Sequence, residues 1–408
     1  MYYSILNFVD FELNKTFQKK NANNLYELQY KYKINTYNDK IVMEYFHIWF
    51  LVIGFSYIVI LFSFMHFSDK IDILNNTVGF MALSFVLIHI LLFFLLMYQE
   101  ISLHPLIILV WILALTIPIF FVSILIGIST LLAYGYKKGG KDFSKIGKKL
   151  EERNEGWSKA KKDLLRKLNH VLIFLGLLFV WYVGLLIVNY ITGSTSGMIP
   201  EENNTLLQYF KLISIPFSII EVLFSLGWFY YLLFFFFYLF SIIILATEFT
   251  RKSKYLFFPF TVFTKIYLTN EETQSYGTYL YFAIGHLFAA FICPPMVFLT
   301  ILGISSISDL VTSQIGIRYG KRYITWNEKK TWEGTISGVL ATLLISFLFV
   351  GVFWSIIFAL AFLFFDIVTN KPLNISDNLL IPIGCSLIFI VIRFYFNLDY
   401  FTILLVWF

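Results

Sequence analysis

Residues 304–341 contain the densest group of side chains in this sequence that could carry out chemistry. If the first half of this stretch is a helix, spacings of four, three, four and four residues place on one face Ser305, Asp309, Thr312, Gly316 and Gly320. Asp309 is the carboxylate on that face, and carboxylate oxygens are ligands that suit Mg²⁺. The pattern therefore indicates a site where Asp309 binds a metal ion or accepts a proton.

The second half of the stretch adds positive charge and a pair of glycines. Its basic residues, whose charge suits phosphate oxygens, are Arg318, Lys321, Arg322, Lys329 and Lys330. Glu333 and the pair Gly334-x-x-x-Gly338 follow, and these glycines allow a ligand or another helix to come close. An ordinary cytoplasmic loop would also be rich in lysine, but it would not explain an aspartate on a face of small residues.

The composition indicates the class of structure that must position these residues. Hydrophobic residues make up 59% of the 408 residues and charged residues 14%, and the mean hydropathy is +0.76. Several apolar runs exceed the length of about 20 residues that crosses a bilayer, so we expect an all-α polytopic membrane protein with roughly 8–10 transmembrane helices. The net charge of +6 is concentrated in loops, where it indicates topology and gives no indication of nucleic acid.

The chain divides into three parts by hydropathy and charge. We expect residues 1–135 to form an accessory membrane region of about three spans, with the third run long enough to tilt or to break at Pro118. His89 within this region is expected at the water interface. Residues 136–160 form a basic connector whose charge marks it as cytoplasmic, and residues 161–408 form the catalytic membrane region.

The later apolar runs are interrupted at positions that predict two helical hairpins. Residues 276–308 begin and end on the basic side, and the turn falls at Cys293-Pro294-Pro295 because proline pairs end helices. Residues 335–366 are expected to fold back near Gly351 and bring Asp377 to the same side as Asp309.

Five stretches, between about residues 160 and 396, resemble landmarks of the polyprenol kinase family in that family's order. This family includes dolichol kinase, phytol kinase and the CTP-dependent diacylglycerol kinases, and it is distantly related to phosphatidate cytidylyltransferase. The central resemblance lies in SDLVTSQIGIRYGK followed by NEKKTWEGTISG. The others are DLLRKLNH, ATEFTR, the pair LTNEETQSYGTYLYFAIG and CPP, and SDNLLIP. Ser308 stands where the family usually has glycine.

The resemblance implies a set of site residues for transfer of phosphate to a lipid alcohol. Asp309 would bind Mg²⁺ or deprotonate the hydroxyl, Asp377 would be a second metal ligand, and Asn378 would bind the base or ribose. The nucleotide and its phosphates would be held by Arg166, Lys167, Gly316, Arg318, Gly320, Lys321, Lys329, Lys330 and Gly334. Other positions that match the family are His170, Glu248, Arg251, Glu272 and Pro382.

Two of these assignments carry a further expectation. Lys330 and Glu333 are expected in catalysis with Asp309, and Glu333 would orient Lys329 if the two form an i,i+4 pair on one helix. CTP as the phosphate donor is implied by the resemblance alone. The expected partners are the nucleotide, the lipid alcohol and the bilayer.

Two other classes of function remain open. A cytidylyltransferase would also use Mg²⁺ and CTP, but its basic and aspartate-rich carboxy-terminal signature is not found in this sequence. A transporter or scaffold would be favoured by inverted repeats, and no convincing repeat is seen. We expect a multi-pass protein with its site on the cytoplasmic side, in a plasma membrane if the source is prokaryotic or in endoplasmic reticulum if it is eukaryotic.

Overall fold

A computed structural model describes most of the hydrophobic chain. The described residues are 46–68, 72–98, 105–138, 157–192, 228–267, 274–369, 371–396 and 398–400. The amino-terminal tail, most of the basic connector and Glu272 lie outside them, so the expectations for these parts stay predictions.

The described chain is almost entirely helical, which confirms the predicted all-α class. The first six helices are α1 (Phe46–Phe67), α2 (Ile73–Tyr98), α3 (Pro105–Lys138), α4 (Lys159–Thr192), α5 (Trp228–Lys252) and α6 (Phe260–Tyr267). The next are α7 (Thr278–Ile292), α8 (Pro295–Gly303), a π-helical turn (Ile304–Ser308) and α9 (Asp309–Tyr319). The last are α10 (Trp332–Val350), α11 (Val352–Val368) and α12 (Asp377–Phe396).

Eight helical stretches in the described ranges are long and apolar enough to cross a bilayer, with α8, the π-turn and α9 counted as one. The helices α7 and α11 are apolar but shorter. Helix α3 continues without a break through Pro118. Many large apolar side chains stay exposed, as expected for helices that face lipid.

Both predicted hairpins are present. Across the first, His286 Nε2 on α7 lies 2.6 Å from Ser305 Oγ in the π-turn, which places α7 antiparallel to the helix that follows the prolines. The second turns at Gly351, whose φ of 86° lies in the region that glycine adopts readily, and α10 and α11 pack along each other.

A short antiparallel hairpin of strands β1 (Tyr323–Ile324) and β2 (Asn327–Thr331) connects α9 to α10. The sequence did not predict it, because β1 has only two residues and β2 is rich in charged residues. Thr331 ends β2 and caps α10, where its Oγ1 accepts a hydrogen bond from the Gly334 N–H at 3.3 Å. Lys329 and Lys330 therefore lie within β2.

The first three helices share one buried core with the later ones. Tyr276 OH donates to the Phe64 carbonyl at 2.6 Å, and Tyr238 OH donates to the Leu115 carbonyl at 3.0 Å. His89 is only 2% exposed and its ring packs against Trp111, so the expected interface position of His89 is wrong. The hydropathy pattern predicted the helix that contains His89, but it could not show which face of that helix packs against the rest of the protein.

Candidate active site

Asp309 is the first residue of α9 and is 3% exposed. Lys167 Nζ, from the third turn of the long helix α4, lies 2.7 Å from Asp309 Oδ1. The same ammonium donates a hydrogen bond to the Asp309 backbone carbonyl at 3.0 Å. Because both side chains are buried, this pair is shielded from water and its electrostatic attraction is stronger than at a surface.

A second lysine, Lys330, binds two further aspartates. Lys330, near the end of β2, places Nζ 2.6 Å from Asp366 Oδ1 and 3.4 Å from Asp377 Oδ2. Asp309 and Asp377 also interact electrostatically with each other and with Lys330. We name these five residues, Lys167, Asp309, Lys330, Asp366 and Asp377, the charged cluster.

The charged cluster is assembled from four helices and a strand. Its two lysines come from α4 and β2, and its three carboxylates come from α9, α11 and α12. Burial disfavours the Lys330 ammonium, but the carboxylates of Asp366, Asp377 and Asp309 outweigh this effect and raise the pKa of Lys330 above its ordinary value. Lys330 is therefore a fixed positive charge within a group that has more carboxylates than ammonium groups.

The residues that the sequence places on one helical face, beginning at Ser305, contact three different helices. Ser305 lies against His286 of α7 and Asp309 binds Lys167 of α4. Thr312 packs on α10, where a Cβ added to Gly338 would lie 1.8 Å from its Oγ1. The π-helical turn changes the residue spacing before Asp309, so a single helical face was too simple a description.

The glycines of this region allow α9 and α10 to approach closely. A Cβ on Gly334 would lie 2.7 Å from the Thr312 carbonyl oxygen and 3.1 Å from the Gly316 Cα. A Cβ on Gly320 would lie 2.6 Å from the Oγ1 of Thr331, which caps α10. Close helix packing thus explains Gly316, Gly320 and Gly334, and their contact with a nucleotide stays a prediction.

Glu333 has a different environment from the one expected. Because α10 begins at Trp332, Lys329 lies on β2 and the helical i,i+4 pair with Glu333 is wrong. Glu333 Oε2 accepts hydrogen bonds from the backbone N–H groups of Lys321 and Arg322, both at 3.2 Å. Its Oε1 lies 3.2 Å from Arg322 Nε, so Glu333 joins the start of α10 to the start of the β-hairpin.

The remaining cations differ in their exposure. Arg318, Lys321 and Lys329 are exposed around the β-hairpin, where a nucleotide could reach them. Arg166 lies 3.2 Å from Asp163 Oδ1, and Asp163 Oδ2 accepts hydrogen bonds from Ser313 and Gln314 of α9. Asp163 therefore joins α4 to α9, and Arg166 binds Asp163 within α4.

Two positions that match the family lie beside α7. His170 stacks on Phe282 with 3.8 Å between ring centroids, one helical turn beyond Lys167. At the start of α12, Asn378 is 6% exposed, and its backbone carbonyl and Pro382 pack against Gly285. These contacts set the position of Asp377 relative to α7.

Glu248 and Arg251 form a buried pair at the end of α5. Arg251 Nη2 lies 2.5 Å from Glu248 Oε2 and donates to the Ser275 carbonyl at 2.6 Å, and Tyr279 also binds Glu248. These contacts connect α5 to the start of α7.

Asp366 was not among the candidates that the sequence indicated. It ends an apolar run, and the signal that could have found it is a carboxylate within a hydrophobic helix, which needs a partner inside the protein. Its 0% exposure and its contact with Lys330 place it in the charged cluster.

The donor chemistry of the charged cluster fits Mg²⁺ in one particular way. Within the described ranges, no group of three or more His, Cys, Asp or Glu side chains is arranged to hold a metal ion. Mg²⁺ at nucleotide sites is commonly bound by one or two carboxylates together with substrate phosphates and water. Asp309 and Asp377 would supply that smaller set of ligands if Mg²⁺ binds here.

Comparison with known proteins identified no relative of this chain. No family model, no curated protein and no solved structure matches the chain.

Proposed function

We propose that the chain is a CTP-dependent kinase that phosphorylates the hydroxyl of a membrane isoprenoid alcohol, dolichol or polyprenol. The observation that carries this proposal is the largely buried charged cluster, in which lysines and aspartates from distant parts of the chain meet. Phosphoryl transfer depends chiefly on positioning and charge neutralisation, for which such groups are suited.

The proposed reaction uses groups that the chain supplies. The lipid hydroxyl oxygen attacks the γ-phosphorus, the bond from that phosphorus to the β,γ-bridging oxygen breaks, and CDP leaves with the bonding electron pair. The hydroxyl proton passes to the carboxylate of Asp309, the buried acid closest to Lys167. Lys330 and the exposed Lys329 would neutralise phosphate charge. Mg²⁺, held by Asp377 with the nucleotide, would supply further neutralisation, and Asp309 would join these ligands only if it is not the proton acceptor.

The choice of CTP and of an isoprenoid alcohol rests on the resemblance to the polyprenol kinase family. The cytoplasmic side of the site rests on the basic segments that flank the spans. Apolar side chains exposed along α10, such as Ile336 and Leu340, support access of a lipid from the bilayer.

The test is transfer of label by the purified protein in lipid vesicles. CTP labelled at the γ-phosphate is offered with dolichol, a short polyprenol, phytol or diacylglycerol, and the lipid fraction is separated and counted. CTP labelled in cytidine is offered with phosphatidate in parallel. We expect γ-label in the lipid alcohol; cytidine label in the lipid would indicate a cytidylyltransferase, and no label in any lipid would contradict the proposal.

A further inference from the structure

Asp366 lies two residues before the last residue of α11, in the sequence FLFFDIV. Its neighbours in sequence are apolar, and the residue is 0% exposed. A carboxylate in such a place is costly unless its oxygens are bound by donors or cations.

Both oxygens of Asp366 are bound. Lys330 Nζ lies 2.6 Å from Oδ1, and Thr335 Oγ1 donates to Oδ2 at 2.5 Å. Thr335 is on α10 and is itself buried, so it fixes the orientation of the carboxylate. The Lys330 ammonium thus has a partner that cannot easily turn away.

The contact of Lys330 with Asp377 is longer, at 3.4 Å. Asp377 is at the amino-terminal end of α12 and is more exposed than Asp366, with side-chain exposures of 23% and 1%. Asp366 is therefore the tighter partner of Lys330. Asp377 is the carboxylate that can release Lys330 and bind another ligand in its place.

The backbone of β2 is fastened to the same end of α11. The Asn327 side-chain amide donates to the Ile367 carbonyl at 3.1 Å and also to the Thr369 carbonyl. The strand that carries Lys330 is thus attached to α11 by both its first residue and its lysine.

We infer that Asp366 is a positioning residue that holds the Lys330 ammonium beside Asp377 and Asp309 while Asp377 takes up a new ligand. The identity of the ligand in this inference rests on the proposed function. The first test below does not depend on that function. Asp366 itself would touch neither nucleotide nor lipid. Its effect on turnover would pass through Lys330.

The first test measures the reactivity of Lys330 in the ligand-free protein. An amine-reactive acylating reagent is added, and labelling of Lys330 is followed by mass spectrometry, with the exposed Lys329 as internal reference. We expect labelling of Lys330 relative to Lys329 to rise several-fold in Asp366→Asn and less in Thr335→Val. Asp366→Glu should restore the wild-type ratio.

The matched control is Asp399→Asn. Asp399 is an exposed acid whose backbone carbonyl contacts Trp354, near the opposite end of α11. Its substitution should leave the Lys330 ratio unchanged. A wild-type ratio in Asp366→Asn, or in Thr335→Val if the first variant fails to fold, would overturn the inference.

The second test is kinetic and uses the assay of the proposed function. Asp366→Asn should lower kcat for phosphoryl transfer by about 10- to 100-fold with little change in KM for the lipid alcohol, and Asp366→Glu should recover most of it. Wild-type kcat in an Asp366→Asn variant with raised Lys330 labelling would overturn the positioning role. An inactive wild-type protein would contradict the proposed function, while the labelling result would still decide whether Asp366 holds Lys330.

Discussion

Lys167 Nζ lies 2.7 Å from Asp309 Oδ1 and also donates to the Asp309 backbone carbonyl, although 142 residues separate the two positions in sequence. A cation that binds Asp309 must therefore compete with an ammonium group already in place. We expect ligand binding at this site to be coupled to movement of the Lys167 side chain.

Asp309→Asn tests the central carboxylate. Turnover should fall by roughly 100- to 10,000-fold, the usual contribution of a positioned proton acceptor. The variant should also be less stable, because loss of one member of a buried ion pair leaves the other charge uncompensated. Initial rates and thermal unfolding in detergent measure the two effects.

The double variant Lys167→Met/Asp309→Asn separates these effects. It should regain stability, because the buried ammonium is removed, and it should stay inactive. Wild-type rates in folded Asp309→Asn would exclude Asp309 from the reaction.

Lys329 and Lys330 are neighbours with different surroundings, and their alanine variants should differ. Lys330→Ala should lower kcat strongly and destabilise the protein, because Asp366 loses its ammonium partner. Lys329→Ala should raise the nucleotide KM by about tenfold, as expected for one lost charged contact to phosphate, with a smaller loss of stability than Lys330→Ala. Exposed Lys254→Ala is the control, and unchanged nucleotide kinetics in both variants would favour an ordinary basic loop.

Gly334→Ala tests the close approach of α9 and α10. The added methyl group would meet the Thr312 carbonyl oxygen at 2.7 Å, and a backbone atom cannot move away as a flexible side chain can. We expect a loss of about 1–3 kcal/mol, the usual effect of overpacking, measured as a lower unfolding temperature. Gly176→Ala on α4, where an added Cβ meets nothing within 4 Å, should be neutral or stabilising.

Asn75→Ala tests whether the first helices support the site. Asn75 Oδ1 accepts a hydrogen bond from the Ser376 N–H at 2.8 Å, immediately before Asp377. Its removal should cost about 1–2 kcal/mol and lower turnover several-fold, because the start of α12 is held less firmly. Thr77→Val, which alters a hydroxyl that bonds Ile73 within α2, is the control. Wild-type kinetics in Asn75→Ala would favour the prediction that residues 1–135 are an accessory region that does not support the site.

Helices and hairpins were predictable because their signals are local. An apolar run predicts a helix, and a proline pair or Gly351 predicts where it turns, as the His286–Ser305 contact confirms. Which charges pair was harder to foresee, since the partners of Asp309 and Lys330 lie on other helices. Asp366 was missed for that reason: one aspartate in FLFFDIV shows its role only when β2 folds back on it.

The separation of Lys167 from Asp309 has a consequence for biogenesis. At 5–20 residues per second, the ribosome completes Asp309 roughly 7 to 30 s after Lys167, so α4 must wait in the translocon or at its edge with an unpaired charge. Lys167 is near the start of its span, where a long side chain can reach the headgroups during that interval. Nascent chains that stop before Asp309 should therefore be preferred substrates for membrane quality-control proteases.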